Sequence, residues 1–556
     1  MRSLRRFGSI AALVCVGAVV ATAQIPERRP RLIVLLMVDQ MHADYVDKFA
    51  HQWSGGLRRL VSSGAWFRQV DYPYFDSVTC AGHTTVGTGV LPWTHGMVMN
   101  EWWDRARNRE VPCTEDDGAS VVSYGKPVTG AGDSARPIRV PTLADELRAQ
   151  LDPAARVVAF SLKARAAIPL AGRRPEAVAW FHDSGTFVTS TAFTQAPNPI
   201  VADFIRRHPI EDDVDKVWDR SLPLSAYLYE DKALGAHVPN GMSAAFPHAL
   251  GGESRKADRG FYDRWQESPF SDEYLAAMTL AVASAMRLGR TDATDFIGFS
   301  FSALDKVGHD YGPHSPEIQD VLVRLDRTLG RFISELDATV GTGNYVVALT
   351  GDHGVAPLPD RLLANGVDAG RVDSAAIERA VERTLSGAFG PASYVSHIAN
   401  GDIYLRPGVL DHLLSQFSVL EAVRRSLLAI PGIQDVLSRD RVAANHFDDD
   451  VVGRRLAHSF DAERSGDLLV VTRPYWSIRD AGAGHGSPYG YDTRVPILMM
   501  GAGVASGEYL APASPADIAP TLAFLAGITL PRAEGRVLIE ALPHHGDSKP
   551  AIQTRK

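Results

Sequence analysis

Residues 32–39 read LIVLLMVD, seven apolar residues in a row closed by Asp39. A continuous apolar run of strand length, without polar alternation, marks a strand buried on both faces, and such strands belong to parallel sheets covered by helices. Four further runs repeat the pattern: ARVVAFSLK (155–163), DFIGFSFSALD (295–305), NYVVALTGDHG (344–354) and VPILMMGAG (495–503). Between them stand segments of helical period, TLADELRAQL (142–151), EIQDVLVRLDRTLGRFISEL (317–336) and PADIAPTLAFLAG (515–527). The alternation predicts an α/β fold: a mostly parallel central sheet flanked by helices on both faces, with inserted cap segments.

In such sheets ligands bind beyond the carboxyl ends of the strands. Asp39, Asp305 and Asp352 all occupy that position, and three strands delivering an aspartate to one edge is hard to attribute to packing. Taken singly, each signal has a bland reading. An aspartate after a strand is an ordinary turn former, and Asp305-x-x-x-His309 is an ordinary polar pair. Asp352-His353 is more specific, because both can face one metal after a buried strand. His485, between Gly484 and Gly486 in GAGHGSPYGYD, sits where the backbone approaches something closely. Thr79, in DSVTCAGHTT, precedes a helical pattern and would either cap it or act as a nucleophile near its amino terminus. Asn100, in GMVMNEWWD, is by itself a turn residue. Lys163 and Arg165, in SLKARAAIP, would face one way in an extended segment and could reach one anion, or form a solvated basic pair. Three carboxylates, three imidazoles and a hydroxyl are the donors two zinc ions need if each keeps an open position.

In this order and these contexts the residues resemble the alkaline phosphatase superfamily, above all its periplasmic, phosphate-irrepressible members with a threonine nucleophile. The resemblance runs from about Leu32 to Gly527. It implies one zinc on Asp305, His309 and His485, and a second on Asp39, Asp352 and His353 with Thr79 as its remaining ligand. Thr79 would be the nucleophile, and Asn100, Lys163 and Arg165 would bind the phosphoryl oxygens. His83, His95 and His314 are left as structural or surface residues. The expected activity is hydrolysis of small phosphate monoesters, with weaker diesterase activity. The pair Lys163 and Arg165 separates monoesterases of this superfamily from its diesterases. A formylglycine sulfatase would need a proline and an arginine where Gly82 and Thr84 stand. The alternatives are a phosphodiesterase or nucleotide pyrophosphatase on the same scaffold, and a non-catalytic zinc- or phosphate-binding protein, against which an intact Thr79 argues.

The bulk properties fit an exported globular protein. The chain of 556 residues is 45% hydrophobic and 22% charged, ordinary for a globular protein. MRSLRR, an apolar run from Ile10 to about Val20 and ATA before Gln24 read as an export signal over residues 1–23, since the run is shorter than the roughly 20 residues that span a bilayer. Its removal takes three positive charges (Arg2, Arg5, Arg6) from a net charge of −8, leaving −11. A chain this acidic lacks the basic surface that binds nucleic acid. A periplasmic or secreted monomer without a membrane anchor is expected. Cys80 and Cys113 remain after the signal, either as a disulfide or as free buried thiols. Residues 24–541 are read as one catalytic body with insertions near 101–139, 174–273 and 355–478, followed by a flexible tail over 542–556.

Overall fold

The computed structural model describes residues 29–151, 154–238 and 241–543. The expected export signal lies outside them, as does all of the tail beyond residue 543.

The elements that position the site are, in chain order, β1 (Leu32–Val38), α1 (Thr79–Thr88), β2 (Val157–Phe160), α2 (Ala164–Ala171), β3 (Asp295–Phe301), α3 (Ala303–Tyr311), α4 (Pro316–Thr339), β4 (Tyr345–Thr350), β5 (Ile497–Gly501) and α5 (Ile518–Ala526). The strands lie in the order β2-β3-β1-β4-β5 at the centre of a sheet of 11 strands. The first four are mutually parallel, with Leu32 opposite both Asp295 and Tyr345. β5 forms as expected but runs antiparallel to β4. Its chain arrives from the carboxyl edge, where His485 lies, and can only run back.

Every side chain of β1 is fully buried. Leu32, Val34, Leu36 and Val38 enter a layer with Leu322, Leu329 and Phe332 of α4. Ile33, Leu35 and Met37 enter the opposite layer with Val86 of α1, Ile168 of α2 and Leu522 of α5. That two-sided burial is the physical cause of the unbroken apolar run, because successive strand residues point to opposite faces. The helices begin where their sequences signal it. Ser315 caps α4 through Ile318 N–H ahead of Pro316, and Thr142 and Asp145 form a capping box on the helix Leu143–Gln150.

Parts of two intervals read as excursions extend the central sheet. Ala177–His182 pairs in parallel with β2, Thr186–Ser190 follows antiparallel, and Glu115–Ser123 pairs beyond it. Between residues 355 and 478 a separate antiparallel sheet, Val395–Ala399, Asp402–Leu405, Leu468–Thr472 and Ile433–Ser438, packs against helices Ser374–Phe389 and Phe417–Leu428 around its own apolar core. Among the described residues no helix is long and apolar enough to cross a membrane.

Cys80, in α1, is bonded to Cys113, 33 residues on. A loop of that length removes enough freedom from the unfolded chain to be worth about 2–4 kcal/mol. Replacing both cysteines by serine should lower unfolding stability by that amount, read from denaturant titration. An unchanged midpoint would remove the disulfide from the stability argument.

Candidate active site

The carboxyl edge of the sheet gathers the expected residues. Asp39 leaves β1 directly, its N–H donating to Phe301 O at 3.0 Å as if the ladder continued. Asp305 and His309 are four apart in α3 and so share a helix face, with His309 Nε2 3.1 Å from Asp305 Oδ1. Asp352 and His353 follow β4, and His485 arrives from the loop before β5. The His353 and His485 rings stack at 3.6 Å between centroids. Two triads have their potential ligand atoms within 4.8 Å of one another: Asp305, His309 and His485, and Asp39, Asp305 and His353. Asp305 thus stands between both groups, where the sequence reading gave it to one. Asp352 joins the second group less closely, with Oδ2 3.4 Å from His353 Nε2.

All three histidines are oriented alike. Nδ1 lies 2.8 Å from Ala483 O in His309, 2.9 Å from Gly354 O in His353 and 2.9 Å from Ser77 O in His485. A carbonyl only accepts, so each Nδ1 carries a proton and Nε2 is left as the atom turned to the cluster, the arrangement that backs metal-ligating imidazoles. Burial, followed by the neighbouring His353 and His309, holds the His485 pKa well below its ordinary value, and burial lowers that of His353.

The carboxylates divide. Burial pushes Asp39 well above the usual range, and the nearby Asp305 and Asp352 charges push the same way. Burial acts likewise on Asp305 and Asp352, but it is outweighed, chiefly by His309 and Lys163 for the first and by His353 and His83 for the second, so both are held below the usual range. Among the described residues Asp39 Oδ1, Asp352 Oδ2 and His353 Nε2 are buried without a hydrogen-bond partner. An unsatisfied buried polar atom costs about 1–3 kcal/mol, and these three converge on one point. Nitrogen and carboxylate donors with lone pairs turned inward fit zinc better than magnesium or calcium.

Thr79 opens α1. The cap position is held by Val78, so the Thr79 hydroxyl does not perform the capping role that the sequence left open to it. At Gly82 an added Cβ would come 2.3 Å from Asp352 O, so glycine lets α1 pack directly on the end of β4 and brings Thr79 to the ligand cluster. Asn100 Oδ1 accepts the Cys80 N–H at 2.9 Å, and its backbone carbonyl accepts the Cys113 N–H. Those two bonds hold the side chain beside Thr79, its amide nitrogen free of that acceptor role.

Only Lys163 of the pair Lys163 and Arg165 keeps the extended geometry expected of them. Lys163 is extended, but it is the cap of α2 and Arg165 lies in the first turn, because alanine-rich ARAAI favours helix. The Lys163 ammonium reaches Asp39 Oδ2 at 2.5 Å and Asp305 Oδ2 at 2.6 Å. Arg165 Nε is buried without a partner among the described residues. Both still line one cavity of about 240 Å³ with Thr79, Asn100, Asp305, His309 and His485. Asp39, Asp352 and His353 are buried outside that lining. The rim includes Asn400, Tyr475 and Trp476 from the 355–478 segment. Nothing local in the sequence marks these, since they reach the cavity only through the fold. His83 is buried between Thr79 O and Ser300 Oγ, and its Nδ1 also comes 3.3 Å from Asp352 Oδ2. His95 is buried against Thr85.

Comparison with known proteins places this geometry. The family described as type I phosphodiesterase / nucleotide pyrophosphatase matches residues 33–490. Alkaline phosphatase PhoK of Sphingomonas sp is 33% identical over 92% of this chain and 91% of its own. Alkaline phosphatase PafA of Elizabethkingia meningoseptica is 31% identical over 92% of this chain and 95% of its own. The crystal structure of wild-type alkaline phosphatase PafA superposes with a TM-score of 0.86 at 30% identity, covering 93% of this chain and 99% of that one.

Proposed function

Because the chain belongs to the type I phosphodiesterase / nucleotide pyrophosphatase family of the alkaline phosphatase superfamily, we propose that it is a two-zinc alkaline phosphatase. It would hydrolyse small phosphate monoesters through a phosphothreonine intermediate, with weaker diesterase activity. The observation that carries this reading is the position of Thr79. Its uncommitted hydroxyl shares one cavity with His309 and His485, whose Nδ1 atoms are engaged by backbone carbonyls, and with the cations Lys163 and Arg165.

Asp305, His309 and His485 would hold one zinc, and Asp39, Asp352 and His353 the other, with Thr79 as its remaining ligand. Zinc bound there supplies Lewis-acid stabilisation of charge on the attacking and leaving oxygens. The amino end of α1 and Asn100, Lys163 and Arg165 orient the phosphoryl group and neutralise its non-bridging oxygens. Deprotonated Thr79 Oγ attacks phosphorus in line, and the new P–O bond forms as the bond to the leaving oxygen breaks. The departing alkoxide takes up a proton. Water then attacks the phosphothreonine, the P–Oγ bond breaks, and phosphate leaves with the threonine hydroxyl restored. In the same reading residues 1–23 are an export signal, residues 24–541 form one catalytic body acting as a monomer, and the product works in the periplasm or outside the cell.

Elemental analysis of the purified protein should find two zinc ions per chain, since six protein ligands exceed what a single site uses. One zinc or none at full activity would overturn the two-zinc reading. The family description favours a second reading, a phosphodiesterase on the same residues. Rates on a monoester and a diester with the same leaving group decide between them: monoesterase preference is expected, and a diester preference would replace the first reading with the second.

A further inference from the structure

Gln40 follows Asp39 and had no role in the sequence reading. Its backbone is left-handed, at φ 68°, a region that residues other than glycine, asparagine and aspartate seldom enter. It is fully buried. Its N–H donates to Asp352 Oδ1 at 3.0 Å, beside the His353 N–H on the same oxygen. Its side-chain amide donates to Asp305 Oδ1 at 2.8 Å. One residue therefore grips an aspartate from each of the two ligand groups, through two different parts of itself.

The surroundings are built to permit this. Across from the amide stands Gly308 of α3, where an added Cβ would fall 1.8 Å from Gln40 Oε1. That carbonyl oxygen is itself buried without a partner among the described residues. A strained backbone and an unsatisfied oxygen at one residue persist only where the surroundings over-determine them, and such strain collects at functional sites. A turn-forming role after β1 explains the backbone but not the buried amide. A neutral donor also suits the place, because aspartate or glutamate there would add a fourth carboxylate.

We propose that Gln40 is a positioning residue that sets the two zinc sites relative to each other. Its N–H fixes Asp352, and its amide fixes the rotation of Asp305. The proposal rests on the two-zinc reading above. The two contacts can be separated by substitution. Gln40→Gly keeps a backbone at ease in the left-handed region and loses only the amide. Gly308→Ala leaves Gln40 in place but pushes its amide away, in a helix where alanine is the better former.

The test is zinc release from the holoprotein to a chelator, followed with a zinc indicator after the zinc content of each protein has been measured. Both variants should release the zinc assigned to Asp305, His309 and His485 about 10–100-fold faster than the wild type, the usual effect of losing a partner behind a metal ligand, and the other zinc, whose Asp39, Asp352 and His353 are untouched, with a much smaller change. In a His309→Ala background, where the Asp305 site is already crippled, adding Gln40→Gly should change release of the remaining zinc far less than 10-fold. Unchanged release in both variants overturns the proposal. Equal acceleration of both zincs also overturns it, because that is the mark of general loosening. If Gln40→Gly fails to fold, Gly308→Ala decides alone. A wild-type protein with fewer than two zincs would instead overturn the two-zinc reading, and the proposal with it.

Discussion

Thr79→Ala is expected to lower phosphate-monoester turnover by about 10⁴-fold or more, the scale seen when a nucleophile is removed from a covalent mechanism. Stability should hardly move. Thr79 is the first helical residue rather than the cap, and alanine is at home in a helix. Zinc content should be largely kept, since Asp39, Asp352 and His353 remain. Thr79→Ser should retain considerable activity, because the chemistry needs only a hydroxyl. The neighbouring hydroxyls are already engaged: Ser77 Oγ donates to Ser487 O at 3.1 Å, and Thr84 Oγ1 to Cys80 O at 2.7 Å. Phosphate trapped at low pH on Ser77 or Thr84 would overturn the assignment of the nucleophile.

Changing Lys163 and Arg165 together to alanine should lower kcat/KM for a monoester by at least about 10²–10³, the typical cost of losing a preorganised contact to the transition state, or ~3–4 kcal/mol. A monoester dianion presents three non-bridging oxygens, and a diester has one of them replaced by an ester group. The diesterase rate should therefore fall far less, narrowing or inverting the preference. The contacts of Lys163 demand a control. Its ammonium lies on Asp39 and Asp305, so its loss leaves two buried carboxylates less well compensated. Zinc content must be measured alongside activity, and Arg165→Ala should be tested by itself, since its buried Nε has no partner among the described residues. Equal losses on both substrates would mean that the pair supports structure or general anion binding, and would favour the diesterase reading.

Much of this site is legible in the chain because strand ends are local features. LIVLLMV announces burial on both faces, and the residue that closes it must lie at the sheet's carboxyl edge. The same reasoning reaches Asp305 and Asp352. It misreads the backbone at Arg165, where the helical preference of the alanines overrides the extended geometry assumed for two residues two apart. It also treats 177–190 as an excursion, because an apolar run does not reveal which strand it will pair with. Whether Cys80 and Cys113 join is equally silent in the sequence, since two cysteines make no pattern.

The order of apolar runs, the aspartates that end them, the histidines near them and the hydroxyl at a helix start are properties of short segments and can be read without any knowledge of the packing. Chain packing alone decided that Asp305 stands between the two candidate ligand groups and that Asn100 is held beside Thr79 by the N–H of Cys80. It decided as well that Gln40 reaches Asp352 and Asp305, 312 and 265 residues away along the chain. Hydrophobic periodicity records which face of an element is buried. The distances that make a ligand set or a hydrogen bond depend on which elements pack together, and no short stretch of sequence carries that information.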